Sequence, residues 1–132
     1  MIVVDASVLA NVVGDDAQVG RVARARLAVA SEAAIPDLAD VETVSVLRKR
    51  WIAGAITARR FRTAVGDLQD LPLDRYATGP LLLRAYALRA NVTPYDAVYV
   101  ALAEVLGAVL LTADGRLDRA PGVRCGVEIL RV

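Results

Sequence analysis

Short apolar runs alternate with helical segments along nearly the whole chain, and this alternation restricts the possible folds more than any other feature. Apolar runs predict buried strands at Ile2–Val4, Ala33–Ile35, Leu71–Leu73, Ala108–Thr112 and Val127–Leu130. Apolar residues at helical spacing predict helices at Ala6–Val13, Ala17–Ala30, Leu38–Ile52, Thr57–Leu68, Thr78–Ala90, Thr93–Gly107 and Arg116–Arg119. Because strands that alternate with helices form parallel sheets covered on both faces, we expect an α/β fold, a three-layer α/β/α sandwich around a parallel sheet of about five strands.

Length and composition predict the organisation of the molecule. The chain has 132 residues, of which 56% are hydrophobic. A chain of this length folds as one domain, so we expect a single domain over residues 1–132. The surplus of apolar residues in so small a body predicts a subunit interface or a groove for a partner helix, and we expect a dimer. The first residues include no basic leader, and Glu104 and Gly107 interrupt the apolar stretch 97–113. We therefore expect a cytoplasmic protein that does not contact the membrane.

Three residue counts exclude whole classes of mechanism. The chain has no His, one Cys at Cys125 and one Lys at Lys49. These counts exclude Ser/His/Asp triads, His-ligated zinc, disulfide bonds and thiolate clusters. Lys49 follows no glycine-rich loop, which excludes a P-loop. A catalytic site in this chain must therefore be built from Asp and Glu, whose oxygen atoms bind hard cations.

Four acidic residues are candidates for such a site. Asp5 directly follows the first predicted strand and Asp114 comes shortly after the fourth, so both project from the carboxyl edge of the sheet, where folds of this class bind ligands. Glu42 interrupts the apolar stripe of its helix, and Asp96 lies in the first turn of another helix above small apolar residues. Each has an ordinary alternative: a helix cap, a turn, a salt bridge or an interaction with the helix dipole. Together, however, they are placed to converge on one pocket.

The clustering of acids predicts a metal cofactor. Four ionised carboxylates in one small site repel one another unless divalent cations compensate their charge. We therefore predict a Mg²⁺ or Mn²⁺ site suited to phosphodiester hydrolysis, because a bound cation lowers the pKa of water and stabilises charge on the phosphate. Asp5, Asp96 and Asp114 would hold the cation, and Glu42 would position it through water or orient the attacking water.

Basic residues are concentrated in one part of the chain. Between Arg21 and Arg62 there are nine basic and four acidic residues, a net charge of +5, against −4 in the remainder. Two clusters in this segment suit a nucleic-acid backbone, and they comprise Arg48, Lys49, Arg50, Arg59 and Arg60. Solvated helix faces are the ordinary explanation for such clusters.

Four stretches of the sequence resemble the PIN domain ribonucleases, particularly the VapC-type toxins of bacterial and archaeal toxin–antitoxin pairs. The stretches are Val3-Val4-Asp5-Ala6-Ser7-Val8-Leu9, Glu42 with Ser45-Val46-Leu47-Arg48, Thr93-Pro94-Tyr95-Asp96-Ala97-Val98-Tyr99-Val100-Ala101-Leu102-Ala103, and Leu111-Thr112-Ala113-Asp114. Each stretch alone is weakly specific. Their order, spacing and total length make the set strongly specific, and the resemblance covers nearly the whole chain.

The resemblance implies a Mg²⁺- or Mn²⁺-dependent endoribonuclease that forms a homodimer and is neutralised by a cognate antitoxin in a toxin–antitoxin assembly. It implies that the metal-binding acids are Asp5, Glu42, Asp96 and Asp114, and that the polar residues lining the site are Ser7 and Thr112. The basic clusters would then contact RNA phosphates. Tyr95 and Tyr99 would stack on bases or pack in the core.

Three other functions are compatible with a fold of this class, and residues of this chain argue against the first two. A phospho-acceptor receiver domain has a similar length, but it needs a lysine at the end of a late strand, and Lys49 lies within a predicted helix. A phosphatase with a nucleophilic Asp usually has a second acid two residues later, where this chain has Ser7. A non-catalytic module that binds nucleic acid or protein and retains the same fold is the third alternative.

Overall fold

The protein, described here by a computed structural model of residues 1–132, is built on a five-stranded parallel sheet. The strands are β1 (Ile2–Val4), β2 (Ala33–Pro36), β3 (Asp74–Tyr76), β4 (Val109–Thr112) and β5 (Val127–Ile129). Their order across the sheet is β3-β2-β1-β4-β5, and every neighbouring pair is parallel. The predicted α/β class and strand number are confirmed.

Six α-helices flank the sheet in two groups. They are α1 (Ala6–Gly14), α2 (Gln18–Ala28), α3 (Leu38–Ile52), α4 (Ala58–Asp70), α5 (Leu82–Ala87) and α6 (Pro94–Leu106). Helices α1 to α4 pack against one another, whereas α5 packs against α6, which in turn crosses β1, β2 and β4. Short 3₁₀ turns occupy Gly79–Leu81 and Leu117–Arg119. None of the helices combines the length and the apolarity that a membrane crossing requires.

Two predicted elements differ from the structure. The third strand was expected at Leu71–Leu73, but the residues that pair with β2 are Asp74–Tyr76, and all three are exposed. Because β3 lies at the edge of the sheet, it needs no apolar run, and the leucines before it pack into the core without strand pairing. The helix expected over Thr78–Ala90 is shorter, since it begins as a 3₁₀ turn and α5 ends at Ala87.

The central strand determines where the site lies. The residues of β1 are at most 5% exposed, as expected of a strand with a neighbour on each side. The register pairs Val4 with Leu111, and the backbone N–H of Asp5 donates to the carbonyl oxygen of Leu111 at 3.0 Å. Since parallel strands end at the same edge of a sheet, the residues after β1 and β4 meet there.

Candidate active site

A cleft of about 550 Å³ opens at this edge of the sheet, and all four candidate acids line it. Asp5 follows β1, Glu42 lies on α3, Asp96 lies on α6 and Asp114 follows β4. Ser7, Lys49, Tyr95 and Tyr99 are among the other lining residues. Acids from four separate segments therefore share one surface.

Asp5 is the most rigidly held of the four acids. It is 6% exposed and caps the N-terminus of α1, where its Oδ1 accepts from the backbone N–H of Ser7. Its Oδ2 accepts from the hydroxyl of Thr112 at 2.6 Å. Both carboxylate oxygens are thus oriented by donors, one in the first turn of α1 and one at the end of β4. Each oxygen keeps a lone pair for a further ligand.

The two polar residues expected beside the acids join the ends of β1 and β4. The hydroxyl oxygen of Thr112, which is fully buried, also accepts from the backbone N–H of Asp114 at 3.0 Å. The hydroxyl oxygen of Ser7 accepts from the backbone N–H of Ala113 at 3.1 Å. Ser7 and Thr112 therefore fix the position of the loop that carries Asp114 relative to Asp5.

Glu42 has a partner that the sequence did not reveal. The hydroxyl of Tyr99, on α6, donates to Oε1 of Glu42, on α3, at 2.7 Å. Tyr99 is only 2% exposed, so it does not stack on bases; Tyr95, at 61%, remains accessible. One signal was present in the sequence: Tyr99 lies three residues after Asp96, which places both on one face of the helix.

Asp96 is positioned by the start of α6. The hydroxyl oxygen of Thr93 accepts from the backbone N–H of Asp96 at 3.3 Å, and Pro94 occupies the first turn, so the helix begins as the sequence predicted. The helix ends at Gly107, whose φ of 62° favours glycine. The start of the helix therefore places Asp96 in its first turn, beside the cleft.

Two of the four acids, Glu42 and Asp96, are harder to ionise than exposed carboxylates. Burial raises the pKa of Glu42, and the charges of Asp5 and Asp96 raise it further, against the lowering effect of the Tyr99 hydroxyl. Burial likewise raises the pKa of Asp96, with added contributions from Asp5 and Asp114. Burial and the nearby Glu42 carboxylate also raise the pKa of Tyr99, which keeps its hydroxyl protonated as a donor. The cleft therefore concentrates uncompensated negative charge.

Asp114 differs from the others because it has a cationic partner. The guanidinium of Arg116 approaches its Oδ2 at 2.6 Å through Nη2, and this contact lowers the pKa of Asp114. The Arg116 side chain is 86% exposed. Asp114 is thus ionised more readily than Glu42 and Asp96, whose pKa values are raised.

The donor set fits a hard divalent cation in its chemistry. All four candidate side chains offer carboxylate oxygens, the ligands that Mg²⁺ and Mn²⁺ prefer, and their mutual repulsion favours a bound cation. No group of three or more acidic side chains is arranged to hold one ion. Binding through one or two carboxylates with water in the remaining positions, which is usual for Mg²⁺, is the arrangement that these side chains permit.

The basic residues expected to contact RNA divide into two groups. Arg50 donates to the carbonyl oxygen of Ala10 and to Oδ1 of Asn11, and Arg60 is paired with Asp16. These guanidinium groups hold α3 and α4 against the α1 region. The other three residues, Arg48, Lys49 and Arg59, are exposed, and Lys49 lines the cleft.

Comparison with known proteins identifies related sequences and folds. The family model for the PIN domain matches residues 2–123. Ribonuclease VapC9 of Mycobacterium tuberculosis is 37% identical over 131 residues, 98% of each chain, and ribonuclease VapC3 of the same organism is 38% identical over 119 residues, 90% of this chain and 86% of that one.

Solved structures share the fold at lower identity. The structure of VapBC2 from Rickettsia felis, bound to a DNA fragment from their promoter, contains a chain that matches with a TM-score of 0.72 at 13% identity, covering 99% of this chain and 100% of that one. PAE2754 from Pyrobaculum aerophilum matches with a TM-score of 0.72 at 23% identity, covering 97% and 83%. These likenesses confirm the fold.

The repulsion within the cleft predicts that Glu42→Gln stabilises the cation-free protein. Glutamine keeps the acceptor for Tyr99 and removes the charge, so the free energy of unfolding at pH 7 should rise by about 0.5–1 kcal/mol, a value limited by solvent screening of this half-buried group. Because the folded-state pKa of Glu42 is raised, the difference should vanish below the unfolded-state pKa of about 4. Urea unfolding in EDTA at both pH values measures this, with the exposed Glu32→Gln as control. A less stable Glu42→Gln protein at pH 7 would contradict the prediction.

Proposed function

Because the chain belongs to the PIN domain family and has VapC ribonucleases as relatives, we propose that it is a Mg²⁺- or Mn²⁺-dependent endoribonuclease that acts as the toxin of a toxin–antitoxin module. The relationship over nearly the full length supports a ribonuclease of the VapC type. The dependence on a cation at the four acids rests on the cleft itself.

One observation carries the proposal: four carboxylates from four segments line a single cleft, and two of them, Glu42 and Asp96, have raised pKa values and form no ion pair. Burying charged groups without compensation costs stability, so such an arrangement is typical of a functional site. The chain has no His, and hydrolysis by carboxylates with a cation needs none.

The four carboxylates would have different roles in phosphodiester hydrolysis. Asp5, Asp96 and Asp114 would hold the cation, one or two of them directly and the rest through bound water, with the orientation of Asp5 fixed by Ser7 and Thr112. A bound Mg²⁺ or Mn²⁺ supplies a Lewis acid for the phosphate and lowers the pKa of a bound water.

Glu42 would orient the attacking water. Its Oε1 is occupied by the Tyr99 hydroxyl, which leaves Oε2 to accept the hydrogen bond of the water. A carboxylate in this position can also accept a proton from that water. The water oxygen would form a bond to phosphorus and give its proton to Oε2 of Glu42, as the bond to the leaving RNA oxygen breaks and that oxygen takes a proton from solvent. Exposed Lys49 lines the cleft and would pair with the phosphate charge.

The proposal predicts that Asp5→Asn and Asp96→Asn each reduce cleavage by at least about 100-fold while the protein stays folded, because each removes an anionic ligand. Cleavage of total cellular RNA by purified, antitoxin-free protein measures this, with EDTA compared against Mg²⁺ and Mn²⁺. Asp118→Asn is the matched control, since Asp118 is exposed and does not line the cleft.

Either of two results would contradict this assignment. One is cleavage at the wild-type rate by Asp96→Asn, which would remove the acids from the mechanism. The other is RNA binding with no cleavage in any cation by folded protein, which would favour the non-catalytic binding module.

We also propose that the toxin pairs with an antitoxin and forms a homodimer. Solved structures that share the fold include a toxin–antitoxin complex from Klebsiella pneumoniae, which matches with a TM-score of 0.66 at 18% identity, covering 99% of this chain and 98% of that one. The surface offered for the dimer is the apolar face of α5, where Leu82, Leu83 and Tyr86 are exposed by 54%, 84% and 63%. Their spacing places them side by side on the helix, and such a patch favours burial against a second copy.

The α5 patch predicts that Leu83→Asp converts a dimer into a monomer, because a buried unpaired charge at an apolar interface is costly. Light scattering at micromolar concentration should give twice the chain mass for wild type and the single mass for the variant. Val29→Asp, at a residue 77% exposed beyond the end of α2, should remain dimeric. A monomeric wild-type protein would exclude the dimer.

A further inference from the structure

Arg116 is an exposed cation that contacts the cleft through Asp114, one of the lining residues. Its Nε lies 3.0 Å from Oδ1 and 3.1 Å from Oδ2 of Asp114, and its Nη2 lies 2.6 Å from Oδ2. Its backbone N–H also donates to Oδ1 at 3.0 Å. The guanidinium therefore covers both oxygens of a candidate metal ligand.

This ion pair differs from the other four in the molecule. Those four join residues at least 20 positions apart, and their arginine side chains are only 25–30% exposed. Arg116 is two positions from Asp114 and 86% exposed, and its side chain donates to no other residue. A pair this local and this exposed connects no separate elements and stabilises the fold little. Holding the structure together does not explain it.

The charge of Arg116 acts on the cleft rather than on the fold. The positive charge of Arg116 acts on Asp96 as well as on Asp114. It lowers the pKa of Asp96, whereas burial and the neighbouring carboxylates raise it. RNA must approach this negatively charged cleft with its own negative phosphates, which acids alone would repel. A guanidinium fork binds a phosphate through two parallel hydrogen bonds, as it binds a carboxylate.

We propose that Arg116 is a phosphate-binding residue of the nuclease site, resting on Asp114 in the free protein and transferring to the RNA phosphate at the cleavage point when a divalent cation takes over Asp114. Charge is balanced at both steps of this exchange. The cation replaces the guanidinium at the Asp114 carboxylate, and the RNA phosphate then becomes the partner of the guanidinium. The inference rests on the proposed ribonuclease function.

The exchange predicts opposite effects on cation binding and on cleavage. Arg116→Ala removes a competing charge, so the protein without RNA should bind Mn²⁺ about three- to tenfold more tightly, as measured by electron paramagnetic resonance of free Mn²⁺. At saturating Mn²⁺ the same variant should cleave total cellular RNA about 100-fold more slowly. Arg116→Lys should recover only part of the cleavage rate, because lysine keeps the charge without the fork.

Arg119→Ala is the matched control, since Arg119 is exposed on the same segment but forms no hydrogen bond or ion pair with any of the four acids. It should match wild type in both measurements. An Arg116→Ala protein with wild-type Mn²⁺ affinity, or with tighter Mn²⁺ binding but wild-type cleavage, would overturn the proposal. Failure of the ribonuclease function itself is distinguishable, because in that case wild-type protein does not cleave RNA in any cation.

Discussion

The hydrogen bond from the Thr112 hydroxyl to Oδ2 of Asp5 joins the ends of the two central strands, and the geometry of the cleft depends on it. It forms because the β1–β4 register brings Val4 beside Leu111 and so places the next residues of both strands at one edge. With Asp5 also capping α1, one carboxylate links a strand, a helix and the loop that carries Asp114. Such multiple fixation suits a ligand that must stay in place when a cation binds.

The cleft contrasts with the rest of the surface in how charge is arranged. Elsewhere acids such as Glu104 and Glu128 are neutralised by arginines from other elements. Glu42 and Asp96 face other carboxylates instead, and burial raises the pKa values of both. The fold tolerates this because β1 and its neighbours form a buried apolar core beneath the site. Functional sites commonly lower the stability of a fold, and the burial of apolar residues in the core offsets that loss.

Much of the fold could be predicted from the sequence because local patterns determine it. Buried strands read as apolar runs, and Thr93 with Pro94 marks the start of α6. The edge strand Asp74–Tyr76 could not be predicted, since an exposed strand has no apolar signature. The sequence places Tyr99 on the same helix face as Asp96 but does not predict its hydrogen bond to Glu42, because that bond joins α3 and α6, which only the tertiary packing brings together.

The candidate acids were identifiable for a different reason. A carboxylate at a strand end or on an apolar helix stripe is locally costly, and four such positions in one chain point to a common site. Their roles depend on how closely the side chains approach, which no pattern of residues specifies. The structure gives one cleft but no arrangement of three acids around a single point, so water is expected to complete the coordination.

The central claim is that the clustered carboxylates form a cation site, and calorimetric titration of Mn²⁺ into cation-free protein at pH 7 tests it most directly. Wild-type protein should bind Mn²⁺ saturably, and Asp5→Asn should lose that binding while remaining folded by circular dichroism. Folded wild-type protein that takes up no Mn²⁺ at millimolar concentration, or an Asp5→Asn protein that binds it equally well, would contradict the account.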